Sequence, residues 1–137
     1  MLHAEATTEL PVDADRLWAS IGSFQGIAEW HPMLCQVEGT GESPGSTRTA
    51  TGRDGAQQTE RLREVDPIRR QYRYTMESTA LPVTDYLGEL RVGDAGDGTS
   101  TVRWTADFSA TDDPDQTLSV VQGFLDAGLQ QLTRRHS

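Results

Sequence analysis

Apolar residues in this chain alternate, recur briefly at helical steps, alternate again through six short runs, and end in one long helical pattern. Leu2–Leu10 reads as a weak strand closed by Pro11. Asp13 is placed to cap a short helix over Ala14–Ile21, with Leu17, Trp18 and Ile21 inward and Gly22 as its stop. Residues 24–30 make a second short helix or turn anchored by Phe24, Ile27 and Trp30. Strand-like runs follow at 33–38, 46–52, 57–65, 70–78, 84–92 and 99–110, separated by Gly, Pro and Asp-rich turns. Connections this short favour an antiparallel meander. The last pattern, Pro114–Arg135, places Leu118, Val121, Leu125, Gly128, Leu129 and Leu132 on one face. Asp113 suits its N-cap, Pro114 its first position and Gln116 a capping-box partner, while Arg134 and Arg135 complement its dipole. The order is β-α-α-β6-α: an α+β fold, one curved antiparallel sheet wrapped on the C-terminal helix.

Alternation sorts the strand faces. Val102, Trp104, Ala106 and Phe108 share the inner side, as do Tyr86, Gly88, Leu90 and Val92, and Tyr72, Tyr74 and Met76. Leu62 inward carries Glu60 and Glu64 with it and leaves Arg61 and Arg63 outside. On 46–52 alternation leaves either parity open, and Arg48 and Ala50 are the favoured inner pair.

Composition narrows the partners. A chain of 137 residues suits a single domain with one core, residues 1–137. A net charge of −9 argues against nucleic acid or an anionic membrane. All 12 basic residues are Arg, so Schiff-base chemistry through a lysine amine is excluded. Cys35 is alone, and no two of the three histidines sit at ligand spacing, so neither a disulfide nor a metal site is expected. His3 and His136 are expected to be solvated. No apolar h-region opens the chain, and no run approaches the ~20 apolar residues of a membrane span. The expectation is a cytoplasmic protein, monomer or homodimer, with no membrane insertion. No P-loop, dinucleotide fingerprint or nucleophile elbow occurs, and no cofactor is expected.

A set of short phrases carries a family likeness. They are Val12…Leu17-Trp18, Glu29-Trp30-His31-Pro32, Gly45-Ser46-Thr47-Arg48, Glu60-Arg61-Leu62, Tyr72-Arg73-Tyr74, Leu81-Pro82-Val83…Tyr86, Val102…Trp104 and Phe124…Gly128-Leu129. In this order and spacing the chain resembles the START-like or SRPBCC superfamily, and within it the small bacterial polyketide cyclase/dehydrase-type proteins. The resemblance implies a helix-grip fold with a cavity between long helix and sheet. It also implies an apolar or aromatic small-molecule ligand; some relatives act on theirs, but no universal catalytic motif comes with the family.

The inner positions supply candidates. Tyr72, Tyr74, Tyr86 and Trp104 bring apolar faces with polar tips that suit an aromatic ligand, and Phe108 and Leu125 lie on the same interior. Trp30 and His31, extended by Pro32, are expected at the mouth. Glu60 is an inward carboxylate. Unpaired, it would have a raised pKa and serve as general acid or base, with Arg48 stabilising an enolate oxygen. Paired with Arg48 on the neighbouring strand, it would fix register instead. The first reading is cofactor-free cyclase or dehydratase chemistry; the others are a non-catalytic lipid or metabolite carrier or sensor, and a protein-interaction module using the arginine-rich outer sheet face.

Overall fold

A computed structural model describes residues 1–136. Its strands are β1 (Leu2–Leu10), β2 (Leu34–Gly39), β3 (Thr47–Gly52), β4 (Gln57–Asp66), β5 (Gln71–Ser78), β6 (Val83–Gly96) and β7 (Thr99–Ala110). Two α-helices, α1 (Ala14–Ile21) and α2 (Pro114–Arg135), complete the set. The strands form one antiparallel sheet in the order β1-β7-β6-β5-β4-β3-β2. This is the helix-grip arrangement.

Two local features depart from the pattern, at α2 and at Glu64. Of the two forms expected for the second short element, helix or turn, the chain takes the turn, a 3-10 turn at Ile27–Glu29. Its anchors Phe24, Ile27 and Trp30 are spaced by three, the period of a 3-10 turn, and all three are buried. The capping box at α2 is half made: Asp113 accepts from the Gln116 amide at 3.2 Å, while the Asp113 amide turns to Asp112 Oδ1 at 3.0 Å. Glu64 is exposed rather than inward. A register shift between Leu62 and Glu64 moves Glu64 opposite Arg73, the expected effect of a β-bulge on parity.

Where α2 lies decides where space remains. It packs on β1 and β7, and α1 packs on β6 and β7. Val121, Leu125, Leu129 and Leu132 are buried beneath α2, as the spacing predicts, with Thr117 in place of the half-buried Leu118. Close approach requires Gly128: a Cβ there would sit 2.8 Å from both His31 Cδ2 and Trp104 Cζ3. The concave face of β2, β3 and β4 lies beyond the helix. That end stays open.

Candidate functional site

The uncovered end holds a cavity of about 410 Å³. Its buried floor is Leu34, Ala50, Tyr86 and Val121, with half-buried Met76, Leu81 and Phe124 beside them. Met33, Arg53, Asp54, Ala56, Gln57, Ala80 and Val120 form an exposed rim, and Gln58 and Thr79 add neutral polar groups. The volume falls in the range of small-molecule sites, roughly 300–1,000 Å³. Ala50, Ala56 and Ala80 are short where neighbours elsewhere are long, so the space results from side-chain size.

Of the residues expected to line this space, Tyr86 alone among the aromatics does so. Tyr72, Tyr74, Trp104, Phe108 and Leu125 are fully buried in a packed block beyond it. The Trp104 indole donates to the Tyr74 hydroxyl at 3.0 Å, and rings of Phe24, Tyr72 and Tyr74 lie 5.6–6.2 Å apart. Tyr86 stacks on Phe108 at 5.6 Å, forming the boundary between block and cavity. Burial pushes the Tyr86 pKa up, so it remains a phenol. The reason for the shift in place is the insert: Phe24, Ile27 and Trp30 fill the end of the sheet that the expected lining residues face. Trp30 packs on Trp104 and His31 under Gly128 rather than guarding the mouth.

Glu60 and Arg48 are direct cross-strand neighbours, both buried and neither on the cavity wall. Arg48 Nε donates to Glu60 Oε1 at 2.8 Å, and Nη1 donates to Phe24 O at 2.7 Å and to the Tyr72 hydroxyl at 3.2 Å. The guanidinium carbon sits 4.1 Å from the Phe24 ring centre and 4.8 Å from that of Tyr74, where the ring faces supplement the carboxylate. One charge pair thus ties the insert to β3, β4 and β5. One carboxylate oxygen of Glu60 is thus engaged by Arg48, and Glu60 is not among the residues that line the cavity.

His31 is a clamp of a different kind. Its Nε2–H donates to the Phe124 carbonyl at 2.8 Å, and Nδ1 accepts the Met33 amide at 3.2 Å. That pattern requires the neutral Nε2–H tautomer. Burial holds its pKa down at about 4, against a weaker opposing effect of the Phe124 carbonyl. The ring stacks on Phe124 at 4.0 Å, so His31 supports the cavity wall from behind.

Outside the sheet the arginines have acidic neighbours. Arg61 and Arg63 meet Glu77, Arg73 meets Glu64 and Glu89 at 3.8 Å, and Arg70 meets Asp15 at 2.8 Å. His3, expected to be solvated, bonds Asp107 at 2.7 Å and Glu5 at 3.1 Å. Among the described residues no three His, Cys, Asp or Glu side chains cluster as metal ligands, and no helix is long and apolar enough to cross a membrane.

A helix-gripped sheet with an apolar cavity at one end is matched by one family model, polyketide cyclase/dehydrase and lipid transport, over residues 1–137. The chain belongs to that family. Among curated proteins none matches it in sequence. Solved structures do. The protein XoxI from Bacillus cereus is 25% identical with a TM-score of 0.93, covering 99% of this chain and 96% of its own. A solution structure from Thermobifida fusca is 29% identical with a TM-score of 0.85, covering 99% and 93%. The ZhuI aromatase/cyclase from Streptomyces sp. R1128 is 21% identical with a TM-score of 0.78, covering 97% and 89%, and shares the fold.

Lining residues outside the expected set include Leu34, Arg53, Met76, Leu81, Val120, Val121 and Phe124. A signal for part of the cavity was present. Ala50 has inward parity, and Gln58 shares the parity of Glu60 and Leu62, so a small residue and a neutral polar one lie side by side inside. The placement of α2 over β1 and β7 was not encoded in any alternation pattern, and Val120 and Phe124 of that helix line the cavity.

Proposed function

We propose that this protein holds an apolar or aromatic small molecule in the cavity and acts as a carrier or sensor, without chemistry on its ligand. The observation that supports this reading is the absence of any carboxylate or imidazole from the buried floor. Glu60 is committed to Arg48, and His31 to two backbone groups. Acid–base turnover needs a proton carrier within hydrogen-bond reach of the ligand. Here the floor offers only Tyr86, a phenol whose pKa burial has raised, and the one lining carboxylate, Asp54, stands on the exposed rim with Oδ1 accepting the Ala56 amide. In this proposal Glu60 and Arg48 fix register, and the packed aromatics position the wall.

The test is native mass spectrometry of protein purified from its own host, followed by incubation of the identified molecule with fresh protein. Recovery of the molecule unchanged, with binding lost in Ala50→Leu, is expected. Conversion that disappears in Glu60→Gln contradicts the proposal and restores the cyclase or dehydratase reading.

A further inference from the structure

Arg53 differs from most arginines of this chain. It stands on the exposed rim of the cavity, fixed there by two bonds: its amide donates to Met33 O at 3.0 Å and its Nε to Pro32 O at 2.7 Å. Arg61, Arg63, Arg69, Arg70, Arg73 and Arg103 each have a carboxylate neighbour, whereas Arg53 forms no ion pair among the described residues. The adjacent acid does not serve. Asp54 Oδ1 turns back to accept the Ala56 amide at 3.0 Å and lies over Gly52, where a Cβ would come within 2.7 Å of it. Both terminal nitrogens of a positioned guanidinium are therefore left for an anion at the mouth, and such a fork suits a carboxylate, sulfonate or phosphate.

We infer that the ligand is an amphipathic anion, with its apolar or aromatic body in the cavity and its acid group on Arg53 at the rim. This rests on the cavity reading above and adds the charge of the ligand. The wider field of the protein works against an anion, because the chain carries a net charge of −9. A preference for an anionic ligand must then come from a local cation, and Arg53 is the cation on the wall.

Two dyes that differ only in charge test this: N-phenyl-1-naphthylamine, and 8-anilino-1-naphthalenesulfonate, the same skeleton with a sulfonate. Fluorescence titration of the native protein is expected to give a saturable single site at which the sulfonate binds about tenfold or more tightly, a charge-assisted contact. Arg53→Gln should bring the ratio of the two Kd values to parity. Arg53→Lys should keep part of the preference, and Asp54→Asn should widen it. Equal affinities in the native protein, or a preference that survives Arg53→Gln, overturn the inference while leaving the apolar cavity in place. Failure of both dyes to bind overturns the cavity reading and this inference with it.

Discussion

The two ends of the concave face share one sheet and one helix but are filled differently. At one end Phe24, Tyr72 and Tyr74 meet ring to ring around a buried Arg48–Glu60 pair, with Trp104 hydrogen-bonded to the Tyr74 hydroxyl and Phe108 stacked on Tyr86. At the other, Ala50, Met76, Leu81 and Val121 leave about 410 Å³ unfilled. The large polar-tipped aromatics, which on composition alone suggest a ligand site, form the rigid end. Small and flexible side chains form the receptive end. Large residues close space and small ones leave it, and at this end the inward Ala50 is the small residue on the buried floor.

The strongest way to break the rigid end is to strand its charge. Glu60→Gln leaves the Arg48 guanidinium buried without a countercharge and is expected to cost about 3–5 kcal/mol in urea unfolding. Arg48→Met with Glu60→Leu should recover much of that loss. A coupling below roughly 1 kcal/mol in the double-mutant cycle would contradict the structural role of the pair. Leu125→Ala removes a fully buried side chain beneath α2 and is expected to cost about 2–5 kcal/mol, read from the same unfolding curves. A nearly unchanged midpoint would mean that the helix does not press on the sheet there.

His31 joins the two ends, since it clamps Phe124 on the cavity wall to the loop at Met33. Its folded-state pKa of about 4 lies below its ordinary 6.5. The unfolded chain therefore binds a proton first. Stability from this residue is fully present above pH 6.5 and is lost as pH falls from 6.5 towards 4, by about 3 kcal/mol in all. Carboxylates titrate nearby, so the comparison is wild type against His31→Gln, whose stability should fall less over that window. An NMR titration placing the His31 pKa near 6.5 would contradict the clamp. The smallest effect on stability is expected at the receptive end: Ala50→Leu adds bulk where space exists and should shift stability by less than about 1 kcal/mol while blocking the cavity.

Much of the fold was legible because alternation and capping are local. The seven strands and the long helix follow from alternation and turn spacing, whereas on β3 alternation leaves both parities open and the structure puts Arg48 and Ala50 inward, beside Glu60. Glu64 was misread because one bulge reverses parity and leaves no signal in the residue types. The site was less legible. Which inward residues touch the cavity depends on the volume occupied by Phe24, Ile27 and Trp30 and on the position of α2 over β1 and β7. Both are properties of packing. Tyr86 was legible as a wall residue only because it lies on the boundary.

The most direct test of the receptive end is an amide-resolved NMR titration with N-phenyl-1-naphthylamine. Saturable shifts centred on Ala50, Met76, Leu81, Val121 and Phe124 are expected, absent in Ala50→Leu, with the Glu60, Tyr72 and Phe108 amides almost still. Shifts centred instead on Tyr72, Trp104 and Phe108 would show that the packed end opens to ligand, and would contradict the division of the molecule proposed here.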